Sequence, residues 1–157
     1  MRIGFAYNPT NPAVPDVLRR GHTWCQSHQV EAWDAAADDR EGIARGCEQS
    51  DLVCVLGGDG TFLRTARAIG DSAAPTLGIN MGRIGFLAKV EADGLERALD
   101  QVAAGDFAVE DRLRIAATLI RASGEREEHA CLNDVALARG ERVRLIQVEV
   151  EVGDSHL

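Results

Sequence analysis

The chain has 157 residues, 45% hydrophobic and 27% charged, with a formal net charge of −8. That length suits one domain, or one small domain and part of another, and hides about 70% of the unfolded surface without a disulfide or metal staple. The acidic balance argues against non-specific binding to nucleic acid or anionic membranes. An anionic substrate would then need local cations or a metal, and arginine supplies nearly all the positive charge, Lys89 being the only lysine.

Arg2 to Tyr7 reads as a short buried strand that starts directly after Met1, so no signal peptide is expected. No apolar run approaches membrane-spanning length. Asn8-Pro9-Thr10-Asn11-Pro12 is a loop by composition. Pro15 and Asp16 suit the first turn of a helix running to about Gln26, which Gly21 weakens. Within it, His22, Cys25 and His28 have metal-like spacing, but steps of three drift around a helix and no fourth ligand is near, so no metal site is expected. Val30 to Trp33 is a second strand, and Asp38 to Gln49 a short helix. The four cysteines form no CxxC pair, which points to a reduced, cytoplasmic protein.

The most informative stretch comes next. Leu52 to Leu56 is an apolar strand that runs into Gly57-Gly58-Asp59-Gly60-Thr61, and Thr61 to Ile69 has helical spacing. Glycines let a ligand approach the backbone, and a helix start offers free N–H groups and a positive dipole end. Together they make a phosphate site. A phosphate cradle does not need an anion, so Asp59 is a candidate for chemistry or for holding a metal. The plainer alternative is that Asp59 and Thr61 cap the helix. Arg64 lies about one turn further on, and residues alone do not separate a ligand contact from a solvated arginine.

Pro75 to Asn80 is a further strand, Met81 to Leu87 a second glycine-marked loop, and Leu95 to Val102 an amphipathic helix ended by Gly105. Asn80, Gly82 and Gly85 suit either a phosphate-facing loop or tight turns and close packing. The alternation of strand and helix predicts an α/β fold over residues 1–105, a mostly parallel sheet with helices on both faces. Ligands bind such sheets beyond the carboxyl ends of the strands, where Asp59 falls.

From Asp106 the texture changes. Phe107 to Ile120, Glu128 to Leu137 and Val143 to Val152 read as an antiparallel meander with one wet face, and Gly153-Asp154 as a hairpin turn. Three strands with no partner layer are poorly covered, so residues 106–157 are expected to be an incomplete all-β domain. Asn133 and Asp134 interrupt an apolar strand, which suggests a ligand, a bulge or an edge.

The blocks Gly57-Gly58-Asp59-Gly60-Thr61, Leu77 to Leu87 and Leu132-Asn133-Asp134-Val135-Ala136-Leu137 resemble, in order and spacing, those of NAD kinases. The first block alone also occurs in diacylglycerol and sphingosine kinases. The resemblance implies transfer of phosphate from ATP, or in some members polyphosphate, to the adenosine-ribose 2′-hydroxyl of NAD. It implies a nucleotide-binding domain followed by a β-sandwich that binds NAD. By motif position Asp59 resembles the proton acceptor. Gly57, Gly58, Asp59, Gly60, Thr61, Arg64, Asn133, Asp134 and Arg144 resemble cofactor-binding positions, with glutamate usual where this chain has Asp134. Magnesium or another divalent metal is expected on the phosphates, with no protein metal ligand assigned. The family implies a homo-oligomer for the complete protein. Family chains run further, and the missing part includes a Thr-Ala-Tyr NAD motif, so this chain is expected to be truncated. The other readings are an inactive nucleotide-binding fragment and a lipid or sugar kinase sharing the glycine turn.

Overall fold

The computed structural model describes residues 1–70, 72, 74–82, 85–138, 147–153 and 155–156, the last two by backbone alone. Two compact units result, Met1–Leu113 and Arg114–Leu157.

The first unit holds strands β1 (Arg2–Tyr7), β2 (Glu31–Ala36), β3 (Leu52–Gly57), β4 (Thr76–Asn80) and β5 (Val90–Glu91) in one sheet ordered β2-β1-β3-β4-β5. Every pairing is parallel. Helices α1 (Val14–Ser27), α2 (Arg40–Cys47) and α3 (Asp59–Ile69) follow β1, β2 and β3, and α4 (Leu95–Ala103) comes after β5. Alternate residues of a strand point to opposite faces. Ile3, Phe5, Cys54, Leu56 and Ile79 therefore meet Val14, Val17, Trp24, Leu95 and Leu99 of α1 and α4. Ala6 and Val53 meet Ile43, Cys47, Ala68 and Ile69 of α2 and α3 on the other side. The expected parallel α/β sheet, covered on both faces, is what forms. The β5 strand was not expected, because two residues carry no readable pattern.

Polar ties fix α1 against α4. The Trp24 indole N–H donates to Asp100 at 2.7 Å, and Arg20 grips Glu96, its Nε 2.6 Å from one carboxylate oxygen. All four cysteines are free and buried, and burial pushes the Cys25 thiol up to about 11. His22 lies against Asp34 and His28 stacks on Trp24, while Cys25 faces the core.

Gly21 has a packing reason. A Cβ there would lie 2.7 Å from two ring carbons of Phe5, a fully buried side chain. Gly→Ala inside an exposed helix normally stabilises by about 1 kcal/mol. Here the sign reverses: Gly21→Ala is expected to destabilise by about 1–3 kcal/mol, as overpacking does, which thermal unfolding will show.

The second unit departs from the expected three-stranded meander. Among its described residues are two hairpins, β6 (Ile115–Ile120) with β7 (Arg126–Cys131), and β8 (Glu151–Val152) with β9 (Ser155–His156). The first closes through a turn in which Arg121 N–H donates to Glu125 O and Gly124 has φ +85°. Residues 107–114 carry alternation broken by Glu110-Asp111-Arg112 and are not strand. The β7 ladder ends where Ile115 meets Cys131, because its partner strand begins there. Residues 132–138 therefore continue without a ladder, and Asn133 and Asp134 lie past the strand rather than inside it. The turn expected at Gly153 is present, with φ +60°. Residues 143–146 of the expected third strand, Val143–Val152, lie outside the described residues.

Candidate active site

In a sheet of this order the chain leaves the two neighbouring strands β1 and β3 toward opposite sides, and loops at their carboxyl ends form a crevice. The loops there follow β1 and β3, with that of β4 alongside. Asn11 of the first donates from Nδ2 to the Met81 carbonyl of the third at 3.0 Å. Asn80, only 2% exposed, braces the third loop: its Nδ2 donates to Gly82 O at 3.2 Å and Glu91 Oε1 at 3.0 Å, and its Oδ1 accepts from Gly82 N–H at 3.2 Å.

Between them stands Gly57-Gly58-Asp59-Gly60-Thr61. The helix starts two residues earlier than the periodicity suggests. Gly58 is the N-cap, its carbonyl accepting from Thr61 N–H at 2.9 Å and Phe62 N–H at 3.0 Å, so Asp59 sits in the first helical turn. A negative charge there is favoured by the helix dipole. No side-chain cap bond forms at this terminus, so the capping alternative for Asp59 is not what is seen. Thr61 is 3% exposed and packs over Gly57, where a Cβ would lie 2.4 Å from its Oγ1. Gly58 and Gly60 face outward: a Cβ on Gly58 would meet nothing within 4 Å, and one on Gly60 only Arg64 Nη1 at 3.9 Å. The exposed Arg64 guanidinium thus folds back beside the turn.

The half-buried Asp59 carboxylate reaches across to the loop after β4. Oδ2 accepts from Phe86 N–H at 2.9 Å and Oδ1 from Leu87 N–H at 3.1 Å. These bonds, Phe86 first, with a further one from Ala88, hold its carboxyl below the usual range against an opposing desolvation. The sign follows: a lowered native value contributes stability above the unfolded aspartate value of about 3.9, lost as pH falls through the native value. Acid unfolding should therefore begin at higher pH in Asp59→Asn than in the unaltered chain, which circular dichroism across pH 2–5 will read, roughly the span of such titrations.

Gly57, Gly58, Asp59, Gly60, Thr61 and Arg64 thus share one short segment of the first unit. Asn133 and Asp134 are exposed residues of the second unit, and Arg144 lies outside the described residues. Sequence reading missed the Phe86 and Leu87 amides, since backbone donors leave no residue signature; Gly85 was the available signal. Among the described residues no three His, Cys, Asp or Glu side chains converge as a metal set. The described residues alone make no such set, so a magnesium ion would be held chiefly through the phosphate oxygens of a nucleotide. No helix among the described residues is long and apolar enough to cross a membrane.

A family described as ATP-NAD kinase N-terminal domain matches residues 16–107, which include the whole Asp59 turn and the loop it touches. The chain belongs to the NAD kinase family. An NAD kinase from Heliobacterium modesticaldum is 36% identical over 159 residues, 97% of this chain and 56% of that protein. One from Mycolicibacterium paratuberculosis is 46% identical over 110 residues, 69% of this chain and 34% of that protein. The chain spans little more than half the length of the first of these relatives. Among solved structures, yeast NADH kinase complexed with NADH superposes with TM-score 0.70 at 16% identity, over 85% of this chain and 44% of that one. An NAD kinase from Archaeoglobus fulgidus in complex with ATP gives 0.55 at 21%, over 79% and 45%. At these identities the likeness is one of fold.

Proposed function

We propose that this chain is the nucleotide-handling half of an enzyme that transfers the γ-phosphate of ATP to the adenosine-ribose 2′-hydroxyl of NAD, giving NADP in the cytoplasm. The observation that carries this reading is the position of Asp59, a partly exposed carboxylate on a glycine-flanked helix start at the carboxyl edge of the central strand. Phosphoryl transfer depends on alignment and charge stabilisation more than on covalent help. The outward-facing glycines leave room for phosphates against the α3 N-terminus, and Arg64 supplies the local cation that an acidic protein needs. Asp59 accepts the 2′-hydroxyl proton as that oxygen attacks phosphorus. Magnesium, a partner of the ATP phosphates, would offset charge. Asn133, Asp134 and Arg144 are proposed NAD contacts from the second unit. The complete protein is proposed to be a homo-oligomer.

A chimaera tests this, with this chain replacing the matching N-terminal part of the Heliobacterium modesticaldum NAD kinase. Supplied with NAD, ATP and magnesium, it is expected to form NADP, read by an NADP-specific dehydrogenase. A folded chimaera that binds NAD yet forms no NADP would contradict the proposal.

A further inference from the structure

The contact between Asp59 and the loop after β4 bears on the chemistry just proposed. A carboxylate that takes a hydroxyl proton needs a free lone pair aimed at the substrate. Each Asp59 oxygen spends one of its two lone pairs on an amide, Oδ2 on Phe86 N–H and Oδ1 on Leu87 N–H, and these bonds fix where the others point. We propose that these consecutive amides form an anion seat, held in the unliganded chain by Asp59 itself, and that a phosphate group of the incoming nucleotide takes the seat and releases the carboxylate.

Four observations support the exchange, which rests on the reading of Asp59 as the base. Successive backbone N–H groups aimed at one anion make a nest that serves phosphate as readily as carboxylate. The seat is shaped for an occupant: a Cβ on Gly85 would lie 2.2 Å from Asp59 Oδ1. Gly85 is not among the glycines with positive φ, so this glycine is required for space and not for backbone conformation. The loop that carries the seat is exposed above and anchored beneath, for Phe86 is 83% exposed and Leu87 5%. Finally, Gly58 and Gly60 leave a clear approach beside it, flanked by Arg64.

The consequence is that binding and activation are coupled. Without phosphate the two amide bonds hold the carboxylate's direction and lower its basicity, and with phosphate seated it is free to turn toward the substrate hydroxyl. A nucleotide must displace an internal competitor, so its apparent affinity is lowered by the fraction of time the seat is free.

The test uses inorganic pyrophosphate and the isotope-labelled chain in solution. Pyrophosphate is expected to move the Phe86 and Leu87 amide resonances and to return the Asp59 carboxyl carbon toward the titration of an ordinary aspartate. Asp59→Ala empties the seat without filling it, so pyrophosphate should bind at these amides at least about tenfold tighter if Asp59 holds the seat nine-tenths of the time. A gain from mere relief of charge repulsion would be screened away at high salt, whereas this one should persist. Amides that ignore saturating pyrophosphate, or an affinity unchanged at high salt in folded Asp59→Ala, would overturn the exchange and leave Asp59 a permanent clamp. If Asp59→Ala does not fold, Asp59→Asn carries the same titration, and an affinity no tighter than that of the unaltered chain overturns the proposal. No turnover is involved, so a chimaera that makes NADP while these amides ignore pyrophosphate would sink the exchange alone.

Discussion

Asp59→Asn in the chimaera is expected to lower kcat by about 10²–10⁴-fold, the usual worth of a positioned general base, with the KM for NAD little changed. The substitution keeps the side chain's size and removes its charge and basicity. Loss confined to kcat is the signature of an interaction made only in the transition state. A general weakening of NAD binding with kcat preserved would instead make Asp59 a substrate contact. Steady-state kinetics at saturating ATP separate the two, and a far-UV spectrum checks that the α3 start survives the loss of the Phe86 and Leu87 bonds.

Phe5→Ala is expected to destabilise the first unit by about 3–5 kcal/mol. Phe5 is fully buried on the middle strand pair β1 and β3, inside the cluster that joins the sheet to α1 and α4. Removing the ring opens a cavity that a parallel sheet covered on both faces cannot easily collapse. Chemical denaturation will measure the loss. The same experiment bears on Gly21, whose missing Cβ faces that ring. In the Phe5→Ala background the penalty of Gly21→Ala should vanish, because neighbouring sites couple when one removes the other's obstacle. Strictly additive effects would show that the ring is not the obstacle.

The apolar runs of β1 and β3 and the periodicity of α1, α3 and α4 made the parallel half of the fold legible. Both signals are long, and buried parallel strands read as continuous hydrophobic segments. The second unit was harder. Alternation at residues 107–114 and 147–150 looks like a sheet, but a strand lasts only as long as its ladder partner, and partners are not written locally. That is why β7 stops at Cys131 and why Asn133 and Asp134 lie beyond it. The site was legible in its residue types and not in its bonds. Glycines around Asp59 marked a candidate corner, whereas the partners of its carboxylate are main-chain amides of residues 27 and 28 positions away. The motif also placed Asp59 in a turn, and the Gly58 cap draws it into the helix.

The most direct measurement follows label from γ-³²P ATP when the chimaera is offered NAD, a diacylglycerol and a hexose phosphate together. The account predicts label in NADP, on the adenosine 2′-oxygen, and a rate that collapses with Asp59→Asn. Label appearing in the lipid or the sugar, with none in NADP, would contradict it.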